Sequence, residues 1–188
     1  VTLIRSCGHC VSCFSGKPTC CETRYDTVSG PLKTIDGKPM EQGLATGAFA
    51  EKVVVDQSQI QHIPENISMT SASLLACGVI TGIGAVTNTA KVTAGATVAV
   101  IGAGGVGLNA IQGSVISGAS KIIAIDLTEE KLKVAKEFGA TDVVLTSDDK
   151  PHRIVKKMTG GRGVDYVFVT VGSIPAYELS LIHISEPT

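Results

Sequence analysis

Two groups of residues in this 188-residue chain have types and spacings that could do chemistry. The first is Cys7-x-x-Cys10-x-x-Cys13, with Cys21 following after a short glycine- and proline-containing loop. Closely spaced thiolates on tight turns can converge on one tetrahedral Zn²⁺ and close its coordination sphere, leaving no room for substrate. Such a site is structural, and its binding free energy of roughly 10–16 kcal/mol goes into ordering a loop that has little core of its own. An iron–sulfur cluster is a poorer fit, because the ferredoxin run wants its fourth cysteine after three residues and then a proline. Disulfides are the other rival. Five of the six cysteines crowd between Cys7 and Cys21, whereas secreted frameworks spread theirs along the chain, so the cluster reads as metal binding in a reducing compartment. Spacing alone leaves open whether Cys20 or Cys21 is the fourth ligand.

The second group is Gly102-x-Gly104-x-x-Gly107, which follows the β-branched run Thr97-Val98-Ala99-Val100-Ile101. Gly102 permits a tight turn, Gly104 lets backbone approach a pyrophosphate, and Gly107 lets a helix pack close to the strand. The helix N-terminus then offers amide N–H groups and a positive dipole end to phosphates. A second run, Lys121–Ile125, ends in Asp126, the place where a carboxylate about 20 residues beyond the glycines can accept ribose hydroxyls. Leu127, Thr128, Glu129 and Glu130 come next. No arginine is there to receive a 2′-phosphate and the acids would repel one, so the expected dinucleotide is NAD rather than NADP.

These groups need elements to hold them. Short, continuous apolar runs at 97–101, 121–125, 142–145 and 163–171 read as strands buried on both faces. Helical stretches alternate with them. One is expected from a Thr128 cap to Phe138 with a stop at Gly139, and a short basic one over Pro151–Met158. The β-α-β-α-β-α-β order implies an α/β fold with a parallel, Rossmann-type sheet and right-handed crossovers. Upstream, Val1–Ile4 and Ala48–Asp56 read as strands, and Glu22–Gly47 as an irregular connection with a hairpin. Ser68–Ala90 has helical character that Gly78, Gly82 and Gly84 are expected to break. Cys77 sits at the first break, where its plain reading is a small buried hydrophobe. His9 and His62 read as surface residues.

Composition narrows the function. With 44% hydrophobic and 18% charged residues the chain has material for a core and too little charge for disorder. A net charge of −1 and the absence of a long basic run argue against nucleic acid or an anionic membrane as main partner. The absence of Trp, with three Tyr and four Phe, argues against base-stacking platforms. No apolar run reaches membrane-spanning length and nothing at the start resembles a signal peptide, so cytoplasm is the expected location.

Taken in order, the cysteine run, Leu74–Val86 (LLACGVITGIGAV) and VIGAGGVG followed by IDLTEEK resemble the zinc-dependent medium-chain alcohol dehydrogenases (medium-chain dehydrogenase/reductase superfamily). The resemblance covers Val1–Glu178. It implies that residues 1–67 are the C-terminal part of a mainly-β, GroES-like catalytic domain with a structural zinc lobe. Residues 68–178 would then be the first half of an NAD-binding Rossmann domain. It implies that Cys7, Cys10, Cys13 and Cys21 are the structural-zinc ligands and that Cys77, against its plain reading, is a ligand of the catalytic zinc. Thr81 and Val106 would border the nicotinamide, and Gly102, Gly104, Gly105 and Gly107 would carry the pyrophosphate. Asp126 and Lys131 would hold the adenosine ribose, with Thr170 and Val171 beside the nicotinamide ribose. The implied substrate is a small alcohol or aldehyde, and the implied full-length assembly a homo-oligomer.

The family's other catalytic-zinc ligands and its proton relay would lie upstream of Val1. The chain therefore reads as a piece of the enzyme, inactive by itself. A glutathione-adduct formaldehyde or polyol dehydrogenase is the nearest rival, and a non-enzymatic zinc- and nucleotide-binding module the rival of another class. Leu179–Thr188 (LSLIHISEPT) reads as the translation of a sequencing-library adapter and is expected to stand outside the fold.

Overall fold

The computed structural model describes residues 1–146 and 150–183. The last five residues of the expected adapter tail, 184–188, lie outside the described residues. The chain divides into two compact units between Cys77 and Gly78.

The first unit is built from turns. Helix α1 (Val11–Phe14) is a single turn, and short 3₁₀ turns follow at Pro18–Cys20, Gly43–Ala45 and Gln57–Gln59. The expected hairpin is reduced to one antiparallel bridge, Lys33 with Pro39, around Gly37 at φ +81°. Neither Val1–Ile4 nor Ala48–Asp56 is a strand. A strand exists only as part of a ladder, and here side chains occupy the places where a ladder would form. Gln59, fully buried, sends its Nε2 to the Thr2 carbonyl at 3.1 Å, and Thr2 N–H returns a bond to Gln59 O at 2.8 Å. Gln42 Nε2 takes the Val54 carbonyl at 2.9 Å. Alternating sequence without a partner segment stays irregular.

From Ser68, whose hydroxyl caps the turn by accepting from Ser71 N–H, the chain is helical throughout Met69–Ala90. It passes through α2 (Met69–Leu74), a π-helical turn (Leu75–Val79), α3 (Ile80–Gly84) and a second π-helical turn (Ala85–Ala90). The three glycines do not break it. Gly82 is required by close approach, since a Cβ there would lie 2.5 Å from Val106 O and 2.8 Å from Ala110 N. Lys91, left-handed at φ 51°, ends the helix. At 22 residues and mean hydropathy 1.7 it meets the length and composition of a membrane span, contrary to the expectation from sequence. Ser, Thr and Gly interrupt its apolar residues, so no run is visible until the pieces join. Within the second unit its α3 turn packs against the glycine-rich helix described next, with Val86 fully buried.

The second unit is the expected doubly wound α/β fold. Its elements are β1 (Thr97–Ile101), α4 (Gly105–Ile116), β2 (Lys121–Asp126), α5 (Glu129–Glu137), β3 (Asp142–Leu145), α6 (Pro151–Met158), β4 (Tyr166–Val169) and α7 (Ile174–His183). The sheet order is β3-β2-β1-β4, all parallel, as right-handed crossovers to both sides of β1 dictate. β1 and β2 are central and buried on both faces, which is why they read as continuous Val/Ile/Ala. One apolar cluster (Val98, Val100, Ile111, Ile122) fills one side of the sheet and another (Ala99, Ile101, Ile123, Val155) the other. β4 is shorter than the run from Gly163 to Val171 suggested, because only Tyr166–Val169 pair with β1. Thr128 stands at the N-cap of α5 but its side chain does not cap; its hydroxyl turns back to Asp126 Oδ1 at 3.3 Å. The expected tail boundary at Leu179 falls inside α7.

Candidate functional site

In the first unit the sulfurs of Cys7, Cys10, Cys13 and Cys21 lie within 4.8 Å of one another. Zn–S bonds of about 2.3 Å at tetrahedral angles put sulfurs a little under 4 Å apart, and the Cys7–Cys13 separation is 4.0 Å. The donor set and its spacing fit a zinc ion. Backbone amides are already aimed at the sulfurs. Cys10 N–H donates to Cys7 Sγ at 3.3 Å, Cys13 N–H to Cys10 Sγ at 3.5 Å, and Cys7 N–H to Cys21 Sγ at 3.4 Å. The Cys10 side chain thereby caps α1, so the first turn of helix and the cluster form together. Cys20 is exposed and its sulfur lies outside the cluster, whereas that of Cys21 lies within it.

The local field favours thiolates at Cys21 and Cys7 and opposes one at Cys13. A hydrogen bond with the Tyr25 hydroxyl, then the Cys7 and Thr23 amides, draws the Cys21 thiol down to about 5. The Thr23 side chain and the His9 amide bring Cys7 to about 7. Burial, with its sulfur neighbours adding, pushes Cys13 up to about 12. Several thiolates crowded so closely repel one another unless a cation joins them. Tyr25 and Arg5 carry no signal in the sequence. Neither belongs to a spacing pattern, and only the folded loop brings Tyr25 to the sulfur.

In the second unit the C-terminal ends of the strands meet the glycine turn. Gly102 has φ +97°, and a Cβ at Gly107 would sit 1.8 Å from the Gly102 carbonyl oxygen, so neither place admits a side chain. Gly104 begins α4 with no side-chain cap and Gly105 and Val106 form its first turn, leaving that end of the helix to an outside acceptor. Thr170 Oγ1 donates to the carbonyls of Gly102 at 2.7 Å and Ile101 at 3.1 Å, fastening the end of β4 to the turn.

Asp126 is 7% exposed. Its Oδ2 accepts Ala103 N–H at 2.7 Å and its Oδ1 accepts Leu127 N–H at 2.7 Å and Thr128 N–H at 3.2 Å. Burial raises its pKa, but these donors and the Lys131 ammonium 3.9 Å away outweigh burial and hold the carboxyl below its ordinary range. The acid thus clamps the turn that precedes α4 as well as closing β2. An apolar cavity of about 390 Å³ opens beside it, lined by Gly102, Asp126, Lys131 and Val171 among the residues singled out in sequence. Thr146 and Pro151, at the ends of β3 and the start of α6, join the lining and carried no motif. Their signal is positional, since ligands of such sheets sit at strand C-termini.

Cys77 is exposed, in the first π-helical turn, and Thr81 is exposed in α3. Among the described residues the four-cysteine cluster is the one group of three or more His, Cys, Asp or Glu that could share a metal, and Cys77 is not in it.

Residues 105–186 match the zinc-binding dehydrogenase family. The chain is 39% identical over 185 residues to the alcohol dehydrogenase class-3 of Oryza sativa subsp. japonica, covering 93% of this chain and 48% of that protein. Its structure is similar to an alcohol dehydrogenase zinc-binding domain protein from Burkholderia ambifaria (TM-score 0.87, 28% identity, 98% of this chain and 52% of that one). It is also similar to the benzyl alcohol dehydrogenase of Acinetobacter calcoaceticus (TM-score 0.85, 27% identity, 98% and 52%). The chain spans about half the length of these relatives. With a parallel Rossmann sheet, a glycine turn clamped by an acid and four converging thiols on the same polypeptide, the chain is similar over nearly its whole length to about half of these zinc-binding alcohol dehydrogenases.

Proposed function

We propose that the whole protein to which this chain corresponds is an NAD-dependent alcohol dehydrogenase that exchanges a hydride between a small alcohol or aldehyde and the nicotinamide. The observation that carries the reading is the joint presence of the Asp126-clamped glycine turn and the four-thiol cluster. In this reading Cys7, Cys10, Cys13 and Cys21 hold a structural zinc. The pyrophosphate lies on Gly104, Gly105 and Val106 at the start of α4, where amides and the helix dipole meet its charge. Asp126 and Lys131 bind the adenosine ribose, and the carboxylates of Asp126, Glu129 and Glu130 disfavour a 2′-phosphate. Thr170 and Val171 flank the nicotinamide half, with Thr81 and Val106 against its ring.

Cys77, which is exposed, would hold a second, catalytic zinc as a thiolate. A zinc with an open position supplies Lewis acidity toward the alcohol oxygen. The chain's own contribution is to hold the cofactor through the glycine turn, Asp126 and Lys131. The 188-residue chain alone is expected to bind dinucleotide weakly and to turn over no alcohol.

Calorimetric titration of this chain with NAD and NADP tests the cofactor reading. NAD should bind at least tenfold tighter, and equal affinity would remove Asp126 from its role. Alcohol oxidation followed at the nicotinamide absorbance of the intact protein, wild type against Cys77→Ser, tests the catalytic assignment. Unchanged turnover in the variant would refute it.

A further inference from the structure

The four-thiolate reading leaves unexplained why the fourth sulfur is Cys21 when an adjacent thiol, Cys20, is equally close in sequence. The answer lies in the loop behind the cluster. Cys21 Sγ is 3.5 Å from the Tyr25 hydroxyl, and it also accepts the Cys7 amide at 3.4 Å. A thiolate has no proton to give, so at an ionised sulfur the phenol is the donor. The phenol is fixed in turn. The Arg5 guanidinium lies 4.0 Å above the Tyr25 ring centroid, a cation–π contact that orients the ring plane. Arg5 pairs with Asp56 at 3.4 Å, and Asp56 is held by Ser58 N–H at 2.9 Å and by Gln59 Oε1 at its own amide. Cys20, by contrast, closes the 3₁₀ turn Pro18–Cys20 facing solvent, with the Thr19 hydroxyl 4.0 Å from its sulfur. Cys21 follows that turn with non-helical backbone (φ −54°, ψ 130°), and its sulfur lies in the cluster.

We propose that Tyr25, braced by Arg5 and Asp56, is a positioning residue for the metal centre, whose hydroxyl holds Cys21 toward the cation and selects it over Cys20. The proposal rests on the four-thiolate reading above. Partners of this kind set ligand orientation and charge, and losing one typically costs 10–100-fold in metal affinity. Tyr25→Phe keeps the ring and the Arg5 stack and removes only the donor.

The test uses the whole chain loaded with cobalt(II), whose sulfur-to-metal charge-transfer bands report thiolate number and donor strength. Wild type should bind one cobalt with a four-sulfur spectrum, and Cys20→Ser should match it. Tyr25→Phe should still bind one cobalt, with the charge-transfer band moved to longer wavelength and metal affinity, by chelator competition, lowered 10–100-fold. Arg5→Lys should move both the same way by less. A Tyr25→Phe chain indistinguishable from wild type in band and affinity overturns the role of Tyr25. Loss of charge-transfer intensity in Cys20→Ser overturns the selection of Cys21. A wild-type chain that takes up no cobalt overturns the four-thiolate reading itself, and the proposal with it.

Discussion

The two units of this chain are held together by different physics. From Val86 onward the described residues include a run of fully buried Val, Ile and Ala on both faces of the sheet. Before Gly78 the buried side chains described are polar, Gln42, Thr46 and Gln59. Large apolar ones such as Phe14 (88%) and Phe49 (111%) stand in solvent. Burial of apolar area stabilises by roughly 25 cal/mol per Å², and the first unit has little of it to use. Its order comes from side chains that bond to backbone, and at one end from four sulfurs whose natural partner is a cation. The second unit is a fold that a hydrophobic core maintains. A segment with a small core needs a staple, and in the proposed reading a metal held by the cysteines is that staple.

The contrast predicts that the units fail separately. The largest effect is expected from Cys10→Ser or from exhaustive chelation. Zinc content should fall from about one per chain to near zero, and protease should then cut within residues 1–30 while residues from Val86 to Asp142 remain protected. Equal protection with and without metal would break the comparison. Next is Gly107→Ala in the second unit, where the added Cβ meets the Gly102 carbonyl at 1.8 Å. Overpacking against backbone should cost about 3 kcal/mol or more and abolish dinucleotide binding, leaving zinc content unchanged.

Asp126→Asn comes third. Three amides donate to this carboxylate, and weakening bonds to a charged group costs about 1–3 kcal/mol at neutral pH. The variant should also change the acid response. A carboxyl held below its ordinary range in the folded chain contributes stability that is present above its unfolded pKa, near 4, and is lost as pH falls through the lower folded value. The gap in Tm between wild type and Asp126→Asn should therefore narrow on acidification below about pH 4, measured on the transition of the second unit. The smallest effect belongs to Lys131→Ala. Its ion pair with Asp126 spans 3.9 Å and the lysine is 56% exposed, so thermal denaturation should shift by no more than about 0.5 kcal/mol. A larger loss would mean that Lys131 stabilises the fold beyond its pairing.

The second unit was the more legible because its signals are local and mutually consistent. Val98–Ile101 must be buried on both faces, Gly102 must bend and Gly107 must vanish beneath a neighbouring carbonyl, and each demand names a residue type. In the first unit only the cysteines carry a local signal, and four of their sulfurs lie within 4.8 Å of one another. Ala48–Asp56 alternates like a strand, yet with Gln42 rather than a ladder on the Val54 carbonyl it does not become one. The glycines of 78–84 look like breaks, yet Gly82 is there so that two helices can touch.

Residue type and spacing by themselves therefore determined the cysteine cluster, the glycine turn with its acid, and the alternation of strand and helix. Each of these is a chemical or steric requirement met within a few neighbouring positions. Which of two adjacent thiols turns inward, which phenol meets it, and which amides Asp126 grips were decided only by the folded chain. Those contacts join residues with no common pattern, and distance in space rather than in sequence selects them.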